Sequence, residues 1–531
     1  MRWLFILWAF VLVAQESPAP CDPETIESLR TEGFELSRDP NQQTDAIDIY
    51  RALNACEPNN PDTLFYLGRA LARSGAWDEA KEVLKACLDV APDYSDAAVQ
   101  LGYIYLWEGN FAEAEAIFRE FPENTDAKVG LGMAAHRQGR AAEAKGHYTA
   151  VIEQDPSHKE ARRQRASLLA SEMEYASAMQ EYGWLVDDDP NESNYWSSLF
   201  DIGEHTRYAL WLETLYTDAK EDDPDLKAPV VKDYYFMNAV HLLIPIFDQW
   251  RLDCKQIYYH QRENDIYPPV GVNYNAFLTG GQITSSYFFA KHWKWDVSLR
   301  AFKAWGDRTG VNYPFHSTTR FEPGTGFLYN SDRQTFSIET HVESFIIKDF
   351  SKSISELLRT DYLSAQYAYR VDAPLKPEFN ALVTHVFIHD HHNWENFEIV
   401  GCRVNVPKAG DTLVFIYRFE HAHFDQLSQN YYSFKQQLRN VVGVRLHVPL
   451  GNSASWDTEG YHRWQTTYNL FQPIGNNVFV SPKQYLAGNW ITTSVSARYK
   501  DRFRLMLAGH YFRDTLPYRD WNVTGSLLWQ F

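Results

Sequence analysis

Trp521-Asn522-Val523-Thr524-Gly525-Ser526-Leu527-Leu528-Trp529-Gln530-Phe531 decides the fold. Val523, Leu527, Trp529 and Phe531 fall on odd positions, and Asn522, Thr524, Ser526 and Gln530 on even ones. A period of two places alternate side chains on opposite faces of a strand, so this segment has one apolar and one polar face.

The same period runs upstream to about His205. Ile491, Val495, Ala497 and Tyr499 interleave with Thr492, Ser494, Ser496 and Arg498, while Val442, Val444, Leu446 and Val448 interleave with Val441, Gly443, Arg445 and His447. Phe336, Ile338, Val342 and Ile346 oppose Ser337, Glu339, His341 and Glu343, and Trp295, Val297 and Leu299 oppose Asp296, Ser298 and Arg300. Sixteen strand-like segments start near residues 205, 230, 248, 271, 293, 318, 332, 357, 377, 393, 411, 432, 454, 483, 501 and 519. A soluble sandwich alternates too. The even count, the long gaps at Asp218–Pro229, Glu263–Val270 and Gly306–Ser317 between short ones, and aromatics near segment ends (Trp293, Trp295, Trp305, Tyr511, Phe512, Trp521) instead predict an antiparallel transmembrane β-barrel. The rhythm weakens around Asp390–Asn393, which leaves fourteen strands as a second count.

Beyond the N-terminal segment no run of eighteen or more apolar residues exists, so no helix is expected to cross a bilayer. A sheet in hydrocarbon must close on itself, because lipid offers no partner to an unpaired N–H or C=O.

Upstream of His205 the reading is different. Residues 21–204 carry 16 Lys and Arg against 35 Asp and Glu, whereas residues 205–531 carry 33 of each, so the net charge of −19 belongs to the N-terminal part. So acidic a domain repels nucleic acid, and no nucleic-acid partner is expected. Residues 1–20, with Arg2, an apolar run from Trp3 to Ala14, then Pro18 and Pro20, read as a secretory signal peptide, with cleavage after Ala14 or Ala19 both open. The five cysteines, Cys21, Cys56, Cys87, Cys254 and Cys402, have no metal-ligand spacing, and their odd number leaves at least one unpaired. Cys56 and Cys87 would either bridge adjacent repeats or stay as small buried thiols.

A 34-residue period separates Pro58 from Pro92 and Pro156 from Pro190. Between these prolines, Leu64, Leu67, Gly68, Leu71, Ala80, Leu84 and Cys87 resemble the small and large positions of the tetratricopeptide repeat (TPR). Leu101, Gly102, Tyr105, Ala114 and Phe118 repeat the figure, as do Leu131, Gly132, Ala135, Ala144, Tyr148 and Val151. Ala178, Tyr182 and Leu185 form a looser fifth copy; Gly33, Ala46, Tyr50 and Leu53 form the first, with one extra residue in its turn. Glycine lets antiparallel helices approach closely, and proline stops the second helix of each pair. The fold class is therefore multidomain: signal peptide 1–20, all-α TPR solenoid 21–204, barrel 205–531.

The TPR resemblance implies a concave groove lined by Phe65, Arg69, Arg73, Tyr103, Trp107, His136 and Arg137, fit for a periplasmic protein or glycan. Phe65 and Tyr103 would otherwise pack between helices. The terminal strand resembles the signal read by the barrel-insertion machinery, through Gly525, Trp529 and Phe531, with Ser526 where glycine is usual. That resemblance puts the strand's end, and with it the TPR domain, on the periplasmic side of an outer membrane whose lipid wets the barrel. TPR repeats ahead of such a barrel resemble the export porins for cellulose and poly-N-acetylglucosamine, and the barrel resembles the YaiO-type domain. Polysaccharide export is the implied function. Similar layouts also belong to surface lipoprotein assembly modulators, and a non-transporting envelope tether is a third reading. For export, lumen-facing charges would be Asp296, Arg300, Glu339, Glu343, Arg418, Glu420, Arg445, Arg498, Arg502 and Arg504, with a basic excess favouring an anionic solute. The same charges would otherwise pair among themselves. His385, His389, Asp390, His391 and His392 fall at a strand-to-loop boundary, so no metal site is expected from them, and no cofactor or catalytic triad is expected.

Overall fold

The computed structural model describes residues 21–39, 42–223, 228–265, 272–290, 292–309, 318–331, 333–344, 359–373, 375–389, 393–406, 413–427, 433–451, 453–474, 477–515 and 518–531. The signal segment and Asp390, His391 and His392 lie outside them. By internal contact the chain forms two compact units, Met1–Leu168 and Leu169–Phe531.

Helices come in antiparallel pairs: α1 (Pro23–Arg38) with α2 (Gln43–Cys56), α3 (Pro61–Ser74) with α4 (Trp77–Val90), α5 (Ser95–Glu108) with α6 (Phe111–Glu120), and α7 (Thr125–Arg137) with α8 (Ala141–Gln154). Then follow α9 (Lys159–Ser171), α10 (Tyr175–Asp188) and α11 (Ser193–Thr206). Asn60 starts α3 by accepting from the Asp62 and Thr63 amides at 3.0 and 3.3 Å, with Pro61 at the first helical position. Gly75 ends the helix at φ 85°, a left-handed conformation that side chains resist. Within each pair one glycine meets one large side chain: a Cβ on Gly68 would stand 2.7 Å from Leu84, and one on Gly102 would stand 2.6 Å from Phe118. Gly132 meets Tyr148 and Gly33 meets Tyr50 in the same way. The partner is sixteen positions downstream in the later pairs and seventeen in the first, which is the extra turn residue read from the sequence.

Cys21 bridges Cys56, with Cα atoms 5.4 Å apart, and ties the chain ahead of α1 to the end of α2. The alternative Cys56–Cys87 bridge is not made. Cys87 is buried in α4, and its thiol donates to the Pro61 carbonyl at 3.3 Å. Pairing depends on where the segment before α1 folds back, which spacing does not encode.

The second unit contains sixteen strands: β1 (Ala209–Asp223), β2 (Ala228–Phe247), β3 (Trp250–Asp265), β4 (Val272–Ala290), β5 (Trp293–Thr309), β6 (Thr318–Asn330), β7 (Gln334–Ser344), β8 (Arg359–Arg370), β9 (Glu378–Ile388), β10 (Asn393–Asn405), β11 (Leu413–Phe424), β12 (Ser433–Pro449), β13 (Ala454–Ile474), β14 (Asn477–Tyr499), β15 (Phe503–Asp514) and β16 (Tyr518–Gln530). Every neighbour pairs antiparallel, and β1 closes on β16 in a continuous register from Ala209↔Gln530 to Glu221↔Tyr518. The sheet has no free edge. Val523, Leu527, Trp529 and Phe531 are exposed on the outer wall, as are Trp295, Val297 and Leu299, and this apolar exterior is the surface a bilayer-spanning barrel presents.

Several strands run further than alternation indicates. Asp218 to Asp223, expected as loop, still pair with β2, and β14 starts at Asn477 rather than near 483. Alternation requires two unlike solvents on the two faces. Hairpins that extend into water on both sides keep their hydrogen bonds and lose that pattern.

Candidate functional site: TPR face, barrel lumen and mouth

Of the groove residues, Phe65 is buried, and Arg69 stacks over Phe65 and Tyr66 at 5.3 and 4.9 Å. Tyr103 packs on Phe118 and donates to the Asp126 carbonyl at 2.8 Å, and burial pushes its hydroxyl well above the ordinary tyrosine range. Trp107 lies against Tyr103 and Trp77, at 6.0 and 6.5 Å between ring centroids. Arg73 and Arg137 hold equivalent positions in their repeats and do equivalent work. Arg73 donates to the Ser37 carbonyl and Arg137 to the Leu106 carbonyl, each at 3.0 Å. Both acceptors stand in the last turn of the first helix of the preceding repeat, where a cation meets the negative end of the helix dipole, and each carbonyl accepts a second bond, Ser37 from Gln43 Nε2 and Leu106 from the Gly109 amide. His136 is partly buried, and Arg137 keeps an exposed side chain.

In the barrel the inward charges are paired, along one strand or across neighbouring ones. Arg300 pairs with Glu322; Arg418 Nε lies 2.6 Å from Glu420 Oε1, and Arg439 reaches the same carboxylate at 3.2 Å. Arg445 meets Asp457 at 3.1 Å and Glu459 at 3.4 Å. Asp296, Arg300, Glu322, Glu339, His341 and Glu343 line one polar recess of about 270 Å³. A second, of about 350 Å³, lies toward the short-turn end and gathers Arg370, Lys376, Arg403, Arg445 and His447 against one carboxylate, Glu378. Arg370, Lys376 and Arg403 carry no signal in the sequence, because they meet only in the closed cylinder.

Arg498 and Arg504 also stand on the inward face, but at the short-turn end and in contact with α11. Arg498 donates to Ser197 Oγ at 2.6 Å and lies 3.4 Å from Asp201, and Arg504 lies 3.1 Å from Glu204. Both guanidinium groups face the Phe200 ring, at 5.9 and 5.4 Å. Phe200 is buried with Ala209, Leu243 and Leu528. Arg251 donates to the Glu204 carbonyl at 3.1 Å, and His205 lies edge-on to Phe288 at 5.2 Å. Helix α11 therefore touches seven consecutive strands, β14 through the β16/β1 seam to β4. Arg207, just after α11, is held by the Asp501 carboxylate at 2.6 Å, and Arg502 lies next to that carboxylate at 3.9 Å. Burial, with Arg251 adding repulsion, brings His205 down to about 4, while Tyr175 stacks on its ring at 4.3 Å.

Gly525, Trp529 and Phe531 lie in or directly after β16. Trp529 stacks near Phe503 on the outer wall, and the Phe531 amide donates to the Tyr208 carbonyl at 2.8 Å. His385 hydrogen-bonds Asn396 at 2.7 Å and His389 meets Asp361 at 2.9 Å, so these two histidines do not converge.

The tetratricopeptide-repeat family matches residues 72–129, 115–157 and 129–192. The chain carries TPR repeats ahead of a closed sixteen-strand β-barrel. A search of curated proteins finds no match. Among solved structures, the chain is similar to a bacterial polysaccharide outer membrane secretin at 8% identity and TM-score 0.41, over 62% of this chain and 99% of that one. It is also similar to a thermophilic TPR protein in Thermus thermophilus, at 18% identity and TM-score 0.31, over 33% of this chain and 98% of that one. MamA from Desulfovibrio magneticus aligns at 17% identity and TM-score 0.26, over 33% and 99%. At these scores the likenesses carry no argument about function.

Proposed function

We propose that this chain is an outer-membrane export porin that passes polysaccharide outward, with its TPR repeats in the periplasm recruiting a protein partner or guiding the glycan. One observation carries the reading: a cylinder closed by sixteen strands has an apolar outside and an inside lined by charged and polar groups, with a cationic recess toward its short-turn end. Porin cylinders of sixteen strands are wide enough for an aqueous channel, and grouped cations favour an anionic solute. The start of β1 and the end of β16 lie at the end that carries short turns, such as Asp248–Gln249 between β2 and β3. Short turns mark the periplasmic end of bacterial barrels, which supports a periplasmic side for the chain that precedes β1. Insertion would proceed through the barrel machinery reading Gly525, Trp529 and Phe531. No catalytic role is proposed.

Conductance of the full chain in planar bilayers tests this reading: stepwise currents blocked by anionic glycans support it, and no current overturns it. A second reading, a protein translocon, assembly modulator or envelope tether, is favoured by the paired lumenal charges and by α11 across seven strands of the mouth. Silent bilayers together with a protein retained by the TPR groove would support it.

A further inference from the structure

We propose that Glu398, His421 and His423 form a binding site for one divalent transition-metal ion of the zinc class on the outer wall of the barrel. The placement follows from backbone geometry. On β11, Phe415 and Tyr417 are exposed on the outer wall, and the period of two carries His421 and His423 onto the same side, while Glu420, Ala422 and Phe424 are buried within. On β10 the exposed Val400 marks the outer wall, and Glu398 shares it. The register sets Glu398 directly opposite His421 and Asn396 opposite His423. A His-x-His pair on one strand with a carboxylate across the ladder thus presents three ligands from rigid elements, a signal hidden from spacing alone because Glu398 is on another strand.

The three ligand atoms lie within 4.8 Å of one another. A tetrahedral ion with bonds of about 2.0–2.2 Å holds its donors roughly 3.5 Å apart, so an ion here would replace the 2.6 Å hydrogen bond between His421 Nδ1 and Glu398 Oε2 and draw His423 in beside them. Two amides back the rings: Gln436 Nε2 lies 3.2 Å from His421 Nε2 and Asn396 Nδ2 lies 3.1 Å from His423 Nε2, and a half-turn of each amide would present its oxygen to the Nε2–H that a metal-bound ring carries. Trp394 covers His423 edge-on at 5.5 Å. An independent observation points the same way: His423 Nδ1 is buried without a hydrogen-bond partner among the described residues, a position that is costly unless a polar or metallic partner fills it. Two imidazoles and one carboxylate suit zinc, nickel or cobalt rather than magnesium or calcium, and leave a fourth position for water. The site lies on the loop side of the apolar outer residues Phe415, Tyr417 and Val400, where hydrocarbon would give way to headgroups.

The test uses the full chain in detergent micelles, free of any histidine tag and stripped with a chelator, titrated with Co²⁺ and with Zn²⁺. The expected result is one ion per chain by elemental analysis, with the visible absorption of tetrahedral Co²⁺. The double variant His421→Asn/His423→Asn should lose both signals. Asn396→Leu should weaken affinity roughly 10–100-fold, while His389→Asn leaves it unchanged. Heat-modifiable gel migration confirms that each barrel is folded. Wild-type protein that takes up no stoichiometric ion, or a folded double variant that retains it, overturns the proposal. Should the double variant fail to fold, Glu398→Gln serves in its place, and an unaltered Co²⁺ spectrum there overturns it equally.

Discussion

The Gln530 side-chain amide donates to the Phe200 carbonyl at 3.0 Å and so fastens α11 to β16. Gly203, one turn further along the helix, faces the same amide so closely that a Cβ there would strike the Gln530 oxygen. Gly203→Val should therefore lift α11 from its seat at an overpacking cost of about 1–3 kcal/mol. Faster proteolysis within α11 and, if the helix narrows the mouth, a larger unit conductance are expected. Unchanged cleavage and current would refute the docking.

His205 makes that seat pH-dependent. Its folded value of about 4 lies below the ordinary 6.5, so the neutral ring is the form that α11 buries. The contribution is whole above about pH 6.5 and is lost as pH falls toward 4, roughly 3 kcal/mol between the limits. Thermal unfolding compared at pH 7.5 and 4.5 should show the loss in the wild type. His205→Phe should reduce the difference.

If the barrel conducts, the recess around Lys376 and Arg403 should set its ion preference. Lys376→Ala/Arg403→Ala removes two cations from a wall where Glu378 faces Arg370 and Asp457 holds Arg445 and His447. Reversal potentials under a salt gradient should shift toward cations, and Glu378→Gln should shift them the opposite way. Equal potentials in all three proteins would exclude the recess from permeation.

Arg73 and Arg137 act on the fold as well as on any partner. Replacing either by alanine removes a charged donor from a helix-end carbonyl, a loss of about 1.5–3 kcal/mol. Circular dichroism should report a lower helical melting temperature for each. Arg69→Ala, whose cation rests on two aromatic rings, should alter partner retention more than melting.

With Cys21 and Cys56 bridged, the unreduced, denatured chain should release three reactive thiols, from Cys87, Cys254 and Cys402. Five would mean that the bridge is absent. Its loss is expected to cost the first repeat up to about 4 kcal/mol in the chain-entropy account.

What the sequence makes legible is local periodicity. Glycine and its bulky partner sixteen residues on, or seventeen in the first pair, mark four helix pairs, and two-residue alternation places β5, β6, β10 and β13 at their observed starts, Trp293, Thr318, Asn393 and Ala454. What it hides depends on distant pairing. The dense run from His385 to His392 draws the eye, yet its two described histidines take separate partners, while Glu398 and His421 become neighbours only through the β10–β11 register. Arg498 and Arg504 are readable as inward-facing, but nothing near them in sequence announces the helix they hold.

The bond between Gln530 and Phe200 joins positions 330 residues apart, across the seam where β1 meets β16. Helix α11 consequently has no complete seat until the final strand has zipped against the first. A cylinder stalled one strand short leaves Phe200 without Leu528 and the Phe200 carbonyl without Gln530, so a fully seated helix is a built-in certificate that assembly has finished.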